Sequence, residues 1–337
     1  MKSVLVTGGA GYIGSHCVVK LIESGYQPII YDDFSNSSKE ALLRIEKLTG
    51  VKPICHEGDI RDGAGLEKVF EEYNIDSVIH FAGKKSVNES EKFPLLYFSV
   101  NVRGSITLLE LMKKYKVNKL VFSSTATVYG DCGSTGVTET AKLNPINNYG
   151  KSKLMFEEVL KEVALKEPDW SIAILRYFNP VGAHPSGLIG EDPTGVPANL
   201  MPFISQVAAG KRGRLKVFGD DYLTRDGTGS RDYIHVEDLV EAHILALSYL
   251  DHFRGVEILN LGTGRDTTVL ELVASFQKVN KVKVPFDIVS RRDGDTAICY
   301  ADPSKAQKVL KWKARFSIDE MCRDAWNWQT RNPNGYH

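Results

Sequence analysis

The sequence predicts an α/β fold, a Rossmann-type doubly wound parallel sheet followed by a smaller mixed α/β domain. Three observations predict it. Short apolar runs alternate with amphipathic stretches through the first half of the 337 residues. A glycine-rich turn joins the first apolar run to the first helical stretch. Beyond Phe178 the alternation loosens and Pro and Gly crowd together from Pro180 to Pro202, which marks an ordered but irregular segment.

Residues 3–7 (SVLVT) read as a short buried strand running into Gly8-Gly9-Ala10-Gly11-Tyr12-Ile13-Gly14, with an amphipathic helix over 13–24. Gly9, Gly11 and Gly14 fit G-x-G-x-x-G, and Gly8, Gly11 and Gly14 fit the looser G-x-x-G-x-x-G. Residues without Cβ let the backbone approach a pyrophosphate, which rests on the positive end of the helix. A second strand over 27–31 ends at Asp32, whose carboxylate suits a ribose 2′-hydroxyl and repels a 2′-phosphate, so the dinucleotide expected is NAD. Further strands are expected at 52–57, 77–81, 119–123 and 171–176, alternating with helices at 39–48, 66–73, 94–115 and 149–167. Later come a helix over 236–250, a strand over 257–261 and helices over 268–280 and 318–329. Residues 1–178 with about 234–260 are assigned to a dinucleotide-binding domain, and 179–233 with 261–337 to a substrate-binding domain. Ligands in such sheets bind beyond the carboxyl ends of the strands, where Asp32, Asp59, Phe81, Ser123 and Arg176 fall.

Composition excludes several classes. Apolar residues make up 42% and charged residues 25%, as in an ordinary soluble globule. Lys+Arg and Asp+Glu are both 42, so no net field draws nucleic acid or a membrane. No apolar run approaches ~18 residues, and a strand at Ser3 leaves no room for a signal peptide. A cytoplasmic chain is expected. Cys17, Cys55, Cys132, Cys299 and Cys322 are odd in number and scattered, without C-x-x-C, and are expected to be reduced thiols. The eight His show neither H-E-x-x-H nor paired spacing, so no metal site is expected.

The chemistry concentrates in Asn148-Tyr149-Gly150-Lys151-Ser152-Lys153. Helical residues four apart share a face, so the Tyr149 phenol meets the Lys153 ammonium, and a neighbouring positive charge favours ionisation. Free Tyr titrates near ~10, so a base poised near neutrality needs about 4 kcal/mol of help. Lys153 supplies part of that, and a positively charged nicotinamide ring more. The hydroxyls of Ser123-Ser124-Thr125-Ala126-Thr127 follow the fifth strand, where they either hydrogen-bond a substrate oxygen or cap the strand end.

With these segments go Val78-Ile79-His80-Phe81-Ala82-Gly83, Leu175 to His184, Gly190-Glu191-Asp192-Pro193, Asn199-Leu200-Met201-Pro202, Asp226 to Val236 and Arg291-Arg292-Asp293-Gly294-Asp295. Together they resemble the extended short-chain dehydrogenase/reductases over the whole chain, and the later segments resemble the branch that inverts C4 of UDP-hexoses. The resemblance implies that Gly8, Gly11, Tyr12, Ile13 and Gly14 hold the NAD pyrophosphate. Asp32, Asn36 and Ser37 line the adenosine ribose, and Asp59 with Ile60 the adenine. Phe81, Ala82, Gly83, Lys85 and Asn101 lie beside the second ribose and nicotinamide, which Tyr177 and Phe178 flank. Thr125, Tyr149 and Lys153 become the reacting set, with Lys85 also near substrate. Asn179, Asn199, Leu200, Lys216, Val217, Phe218, Arg231, Arg292 and Asp295 become the UDP-sugar site, where arginine's planar fork suits phosphate oxygens. Departures are Thr125 for the usual Ser, Asp33 for Asn, Lys84, Ser86 and Asn88 around Lys85, and Ala198 for Asn.

The implied activity interconverts UDP-galactose and UDP-glucose through a 4-keto sugar that turns about its diphosphate tether. Cys299 matches a position bordering the sugar, where a small residue admits N-acetylated sugars and Tyr excludes them. UDP-GalNAc and UDP-GlcNAc are therefore expected substrates too. The resemblance also implies a homodimer through 94–115 and 149–167. Two rival readings remain. A 4,6-dehydratase places Asp-Glu where Ala126-Thr127 stand, and a dinucleotide-sensing regulator dispenses with the Tyr-Lys pair.

Overall fold

The computed structural model describes residues 1–133, 135–292 and 295–337. Its centre is a seven-stranded sheet in the spatial order Gly255–Leu261, Ser171–Tyr177, Lys119–Thr125, Ile75–His80, Ser3–Thr7, Gln27–Asp32, Ile54–Glu57. The pairings from Ile54–Glu57 across to Lys119–Thr125 are parallel. Chain order reverses beside Ser3–Thr7, which makes the switch point where doubly wound sheets bind ligands. Central strands are apolar on both faces because helices cover both; Val4, Leu5 and Val6 are fully buried.

The chain divides into two compact units. The first comprises Met1–Gly130, Lys142–Arg176 and Val240–Leu259, and the second Asp131–Ala141, Tyr177–Leu239 and Asn260–His337. Asp131–Ala141 thus lies with the second unit, where the sequence had assigned it to the first. A cluster around Leu5, Val78, Leu108, Phe122, Phe156 and Ile174 forms the core of the first unit. The second is built on Met201, Val217, Tyr233, Phe276 and Met321. Its strands are short, with Ser230–Arg231 between Thr267–Thr268 and Ile298–Cys299, and Leu215–Phe218 beside Phe286–Val289. Capping boxes start two of its helices, Thr268 with Glu271 and Ser317 with Glu320.

Two expectations are corrected. The irregular segment expected up to Pro202 runs into a helix, Leu200–Ala208; Pro202 stands in its first turn, where a missing N–H breaks no helical bond. The single helix expected over 94–115 is three pieces: Pro94–Phe98, a π-helical stretch Ser99–Gly104, and Ser105–Lys114. The wider turn faces Asn101 inward. There its amide accepts from the Lys84 N–H at 2.8 Å and donates to the Lys84 carbonyl at 3.0 Å.

Candidate active site

The glycine turn is fixed by close approach. Gly8 adopts φ +72°, and a Cβ there would meet the Ala82 nitrogen at 2.7 Å. A Cβ at Gly14 would sit 2.1 Å from the Gly8 carbonyl oxygen, so the helix Tyr12–Glu23 leaves the turn only if position 14 is Gly. That helix begins at Gly11 with no side-chain cap and no acidic residue in its first turn, leaving its positive end for an anion. Asp32, 7% exposed, accepts from the Ala10 N–H at 2.9 Å, the Phe34 N–H at 3.0 Å and the Ser37 hydroxyl at 2.8 Å. A carboxylate has about four acceptor positions, so Asp32 keeps capacity for a ribose hydroxyl. These residues fit NAD. Asn36 is exposed, and Asp59 is held below the usual carboxylate range by the Arg61 guanidinium. Ile60 is buried.

The reacting set assembles on two elements. Asn147 caps the helix Asn148–Lys166 by accepting from the Gly150 N–H at 2.8 Å, which puts Tyr149 in its first turn. Thr125 ends the strand Lys119–Thr125, and its hydroxyl bonds the Tyr149 phenol and the Thr127 hydroxyl. Lys153, 5% exposed, donates to the Ser123 carbonyl at 2.9 Å and lies 4.9 Å from the Phe122 ring centroid. Burial pushes its ammonium down to about 8, with Glu157 opposing. The expected lowering of Tyr149 by Lys153 is not what the protein alone supplies. Burial raises the phenol, the Thr125 hydrogen bond pulls it back, and the Lys153 proton is directed to Ser123 instead.

Phe81 and Ala82 both donate their N–H groups to the Thr7 carbonyl, and Phe81 rests on His243 at 5.0 Å. A Cβ at Gly83 would lie 3.0 Å from Asn101 Oδ1 and 3.6 Å from Lys153 Nζ, so this segment runs beside the reacting lysine. Asn101 also donates to the Ser152 hydroxyl at 3.0 Å, and Ser152 donates to the Tyr149 carbonyl at 2.7 Å. Lys85 is exposed. His80 was not singled out from the sequence. It bridges the Thr7 and Ser105 hydroxyls at 2.6 and 2.7 Å, and burial drives it down to about 3, which keeps it neutral.

In the second unit a charged cluster forms. Asp295 accepts from Arg292 Nε at 2.9 Å and pairs with Arg231 at 3.8 Å, while the Arg292 guanidinium lies 4.5 Å from the Phe218 ring centroid. Lys216 is exposed, but the Val217 side chain is 1% exposed in the core, so only its backbone is offered to a ligand. Asn199 donates to Glu191 at 2.6 Å at the start of the helix that Leu200 opens. Asn179 donates its N–H to the Asp232 carbonyl at 3.0 Å. Tyr177 and Phe178 are buried.

The cysteine expectation fails for one pair: Cys132 and Cys299 form a disulfide, while Cys17, Cys55 and Cys322 are free. Val137 donates to the Tyr300 carbonyl and Asp302 to the Val137 carbonyl, which lays 131–137 beside the Cys299 strand with the two Cα atoms 5.1 Å apart. A separation of 167 residues hid this from a reading of spacing. Among the described residues no three His, Cys, Asp or Glu gather as a metal-binding group.

A family model described as GDP-mannose 4,6 dehydratase matches residues 5–325. The UDP-glucose 4-epimerase of Dictyostelium discoideum is 55% identical over 334 residues, 99% of this chain and 97% of its own. The UDP-glucose-4-epimerase structure from Stenotrophomonas maltophila, with bound NAD and formylated UDP-arabinopyranose, aligns with a TM-score of 0.97 at 51% identity over 99% of each chain. The Bifidobacterium longum UDP-glucose 4-epimerase, in complex with NAD+ and UDP, aligns at 0.95 with 49% identity over 99% of this chain and 100% of that one.

Proposed function

We infer the chemistry from one premise: the chain belongs to the extended short-chain dehydrogenase/reductases that this family model describes and, within them, to the UDP-glucose 4-epimerases. It is an isomerase that inverts C4 of UDP-sugars with NAD. The family model carries a dehydratase's name, but dehydration needs an acid and a base for C5 and C6. Ala126 and Thr127, which follow Thr125, are neither.

The observation that carries the residue assignment is the Tyr149 phenol bonded to Thr125, one helical turn from a buried Lys153. Bound NAD takes up and returns the hydride of C4. Tyr149 accepts the 4-hydroxyl proton at its phenol oxygen and gives it back after the 4-keto sugar has turned. Thr125 steers that proton, and Lys153 holds charge beside it. Since burial raises the phenol, a second positive charge beyond Lys153 is needed for ionisation, and the nicotinamide ring has that charge. The first unit holds NAD through Gly8, Gly11 to Gly14, Asp32, Asn36, Ser37, Asp59, Ile60, Phe81 to Gly83 and Lys85, with Tyr177 and Phe178 against the ring. The second binds the UDP-sugar, its diphosphate taken by Arg231 and Arg292 once Asp295 has oriented them. UDP supplies the affinity, and the sugar is left loose enough to turn.

Two finer readings go with this. Cys299 leaves room for an acetamido group, and its sulfur is drawn towards Cys132, so UDP-GalNAc and UDP-GlcNAc are substrates as well. The chain acts as a cytoplasmic homodimer. Leu95 is 83% and Leu165 70% exposed, and a surface groove is lined by Phe98, Val102, Arg103, Ile106 and Met155. Among the described residues no helix is long and apolar enough to cross a membrane. The deciding experiment incubates the protein with each UDP-hexose and separates the products. No interconversion of UDP-galactose and UDP-glucose removes the reading, and a monomer in sedimentation removes the dimer.

A further inference from the structure

Glu157 follows Lys153 on the same helix face, four residues on, as Lys153 follows Tyr149. It is fully buried and bound on both oxygens. Oε1 accepts from the Ser124 hydroxyl and from Arg176 Nε at 3.0 Å, and Oε2 accepts from Arg176 Nη2 at 2.6 Å. Arg176, 1% exposed at the end of its strand, donates from Nη1 to the Tyr129 hydroxyl at 2.9 Å. Ser124 precedes Thr125, and Tyr129 closes the turn Ala126–Val128 that follows it. One carboxylate therefore grips both sides of the segment that carries the Thr125 hydroxyl, directly on one side and through Arg176 on the other. Stability does not account for it, because a buried ion pair is often matched or bettered by apolar side chains of similar volume.

We propose that Glu157, locked by Arg176, is a positioning residue for the epimerisation: it keeps Thr125 in register with the Tyr149 phenol and keeps Lys153 an ammonium. This rests on the reading of Tyr149 and Lys153 as the proton-moving pair. The Lys153 ammonium faces Tyr149 and Glu157 from its own helix. From Lys119–Thr125 it faces the Ser123 carbonyl and the Phe122 ring. His80 on Ile75–His80 faces it as a neutral imidazole. Asn101 beside Gly83 is neutral, and the charge of Arg176 is spent on Glu157. Glu157 is thus the anion of this set. Burial pushes Lys153 down, and Glu157 acts against it.

The test uses full-length, NAD-saturated protein. Glu157→Leu/Arg176→Met removes both charges and refills their volume. Its KM for UDP-galactose stays near wild type, and kcat falls about 10- to 100-fold, as a misplacement of about 1 Å can cost. Its alkaline limb moves to lower pH, because the carboxylate no longer opposes the burial of Lys153. Glu157→Asp keeps the charge but withdraws it by one methylene, so kcat falls while the alkaline limb stays in place. A double variant whose kcat and pH profile superimpose on wild type overturns the proposal, as does Glu157→Asp with unchanged kcat. Should the double variant not fold, Glu157→Asp decides alone. Full activity in Tyr149→Phe would sink the underlying pair instead, so the two failures are told apart.

Discussion

The two units hold their functional groups in opposite ways. In the first, Lys153, Asp32 and Asn101 are buried, sit on strands and helices, and have each hydrogen bond to a partner fixed by the backbone. In the second, Arg292 and Lys216 are exposed, on short strands or loops, and the arginines are held by a single shared carboxylate, Asp295. Proton transfer tolerates little movement, so its groups are locked into regular elements. Phosphate recognition works through charge and tolerates more, so its groups stand in water, held by pairs that an incoming anion can exchange.

If that division holds, substitutions in the first unit should lower kcat and those in the second should raise KM. The largest effect is expected from Tyr149→Phe, which keeps the ring and removes the proton carrier. At saturating UDP-galactose kcat falls by about 10²- to 10⁴-fold, with NAD still released when the protein is denatured. Activity near wild type there would remove Tyr149 from the chemistry.

Arg292→Ala should raise the KM for UDP-galactose about 10- to 100-fold, the worth of a charge-assisted hydrogen bond of about 1.5–3 kcal/mol. A fall in kcat at constant KM would break the comparison, because Arg292 would then be acting on the reacting sugar.

Lys153 sharpens the comparison by pH. Its amine, normally near 10.5, is pushed down to about 8 by burial, so the ammonium is present below about 8 and lost above it. Activity should decline as pH rises through that value, and Lys153→Met should abolish the limb and move the phenol's acid limb upward. Between about 8 and 10.5 the unfolded chain binds this proton more tightly than the folded one, so this residue's contribution to stability rises with pH across that window. A kcat profile flat to pH 10, or a melting temperature that this residue does not influence there, would contradict the assignment.

The smallest effect on the main reaction is expected at Cys299. Cys299→Tyr should remove conversion of UDP-GlcNAc and UDP-GalNAc and largely spare the unacetylated pair. Assaying both pairs for both proteins decides it, and equal loss of both would end the gatekeeper role.

What was legible in the sequence follows the same division. The glycine turn, Asp32 and the Tyr149–Lys153 row are local patterns, where a few residues of spacing fix the geometry. Extending that row by one turn would have reached Glu157, but its partner Arg176 lies on another strand and no spacing announces it. In the second unit the arginines were legible only through resemblance, since Arg231, Arg292 and Asp295 meet through pairings between distant short strands. The Cys132–Cys299 bond escaped for that reason, and the helix at Leu200 because Pro202 reads as a breaker until its place in the first turn is known.

The π-helical stretch Ser99–Gly104 sets a rule for chain length. An α-helix advances about 100° per residue, so the wide turn in effect carries one residue more than a regular helix needs. Deleting a residue after Asn101 would let the helix close regularly and rotate everything downstream, carrying Leu108 and Met112 off the core side that they fill. Deleting one before it would instead turn the Asn101 amide away from Lys84. The segment from Pro94 to Lys114 is therefore less tolerant of a one-residue deletion than of most single substitutions, and length here is as much a part of the site as side-chain identity.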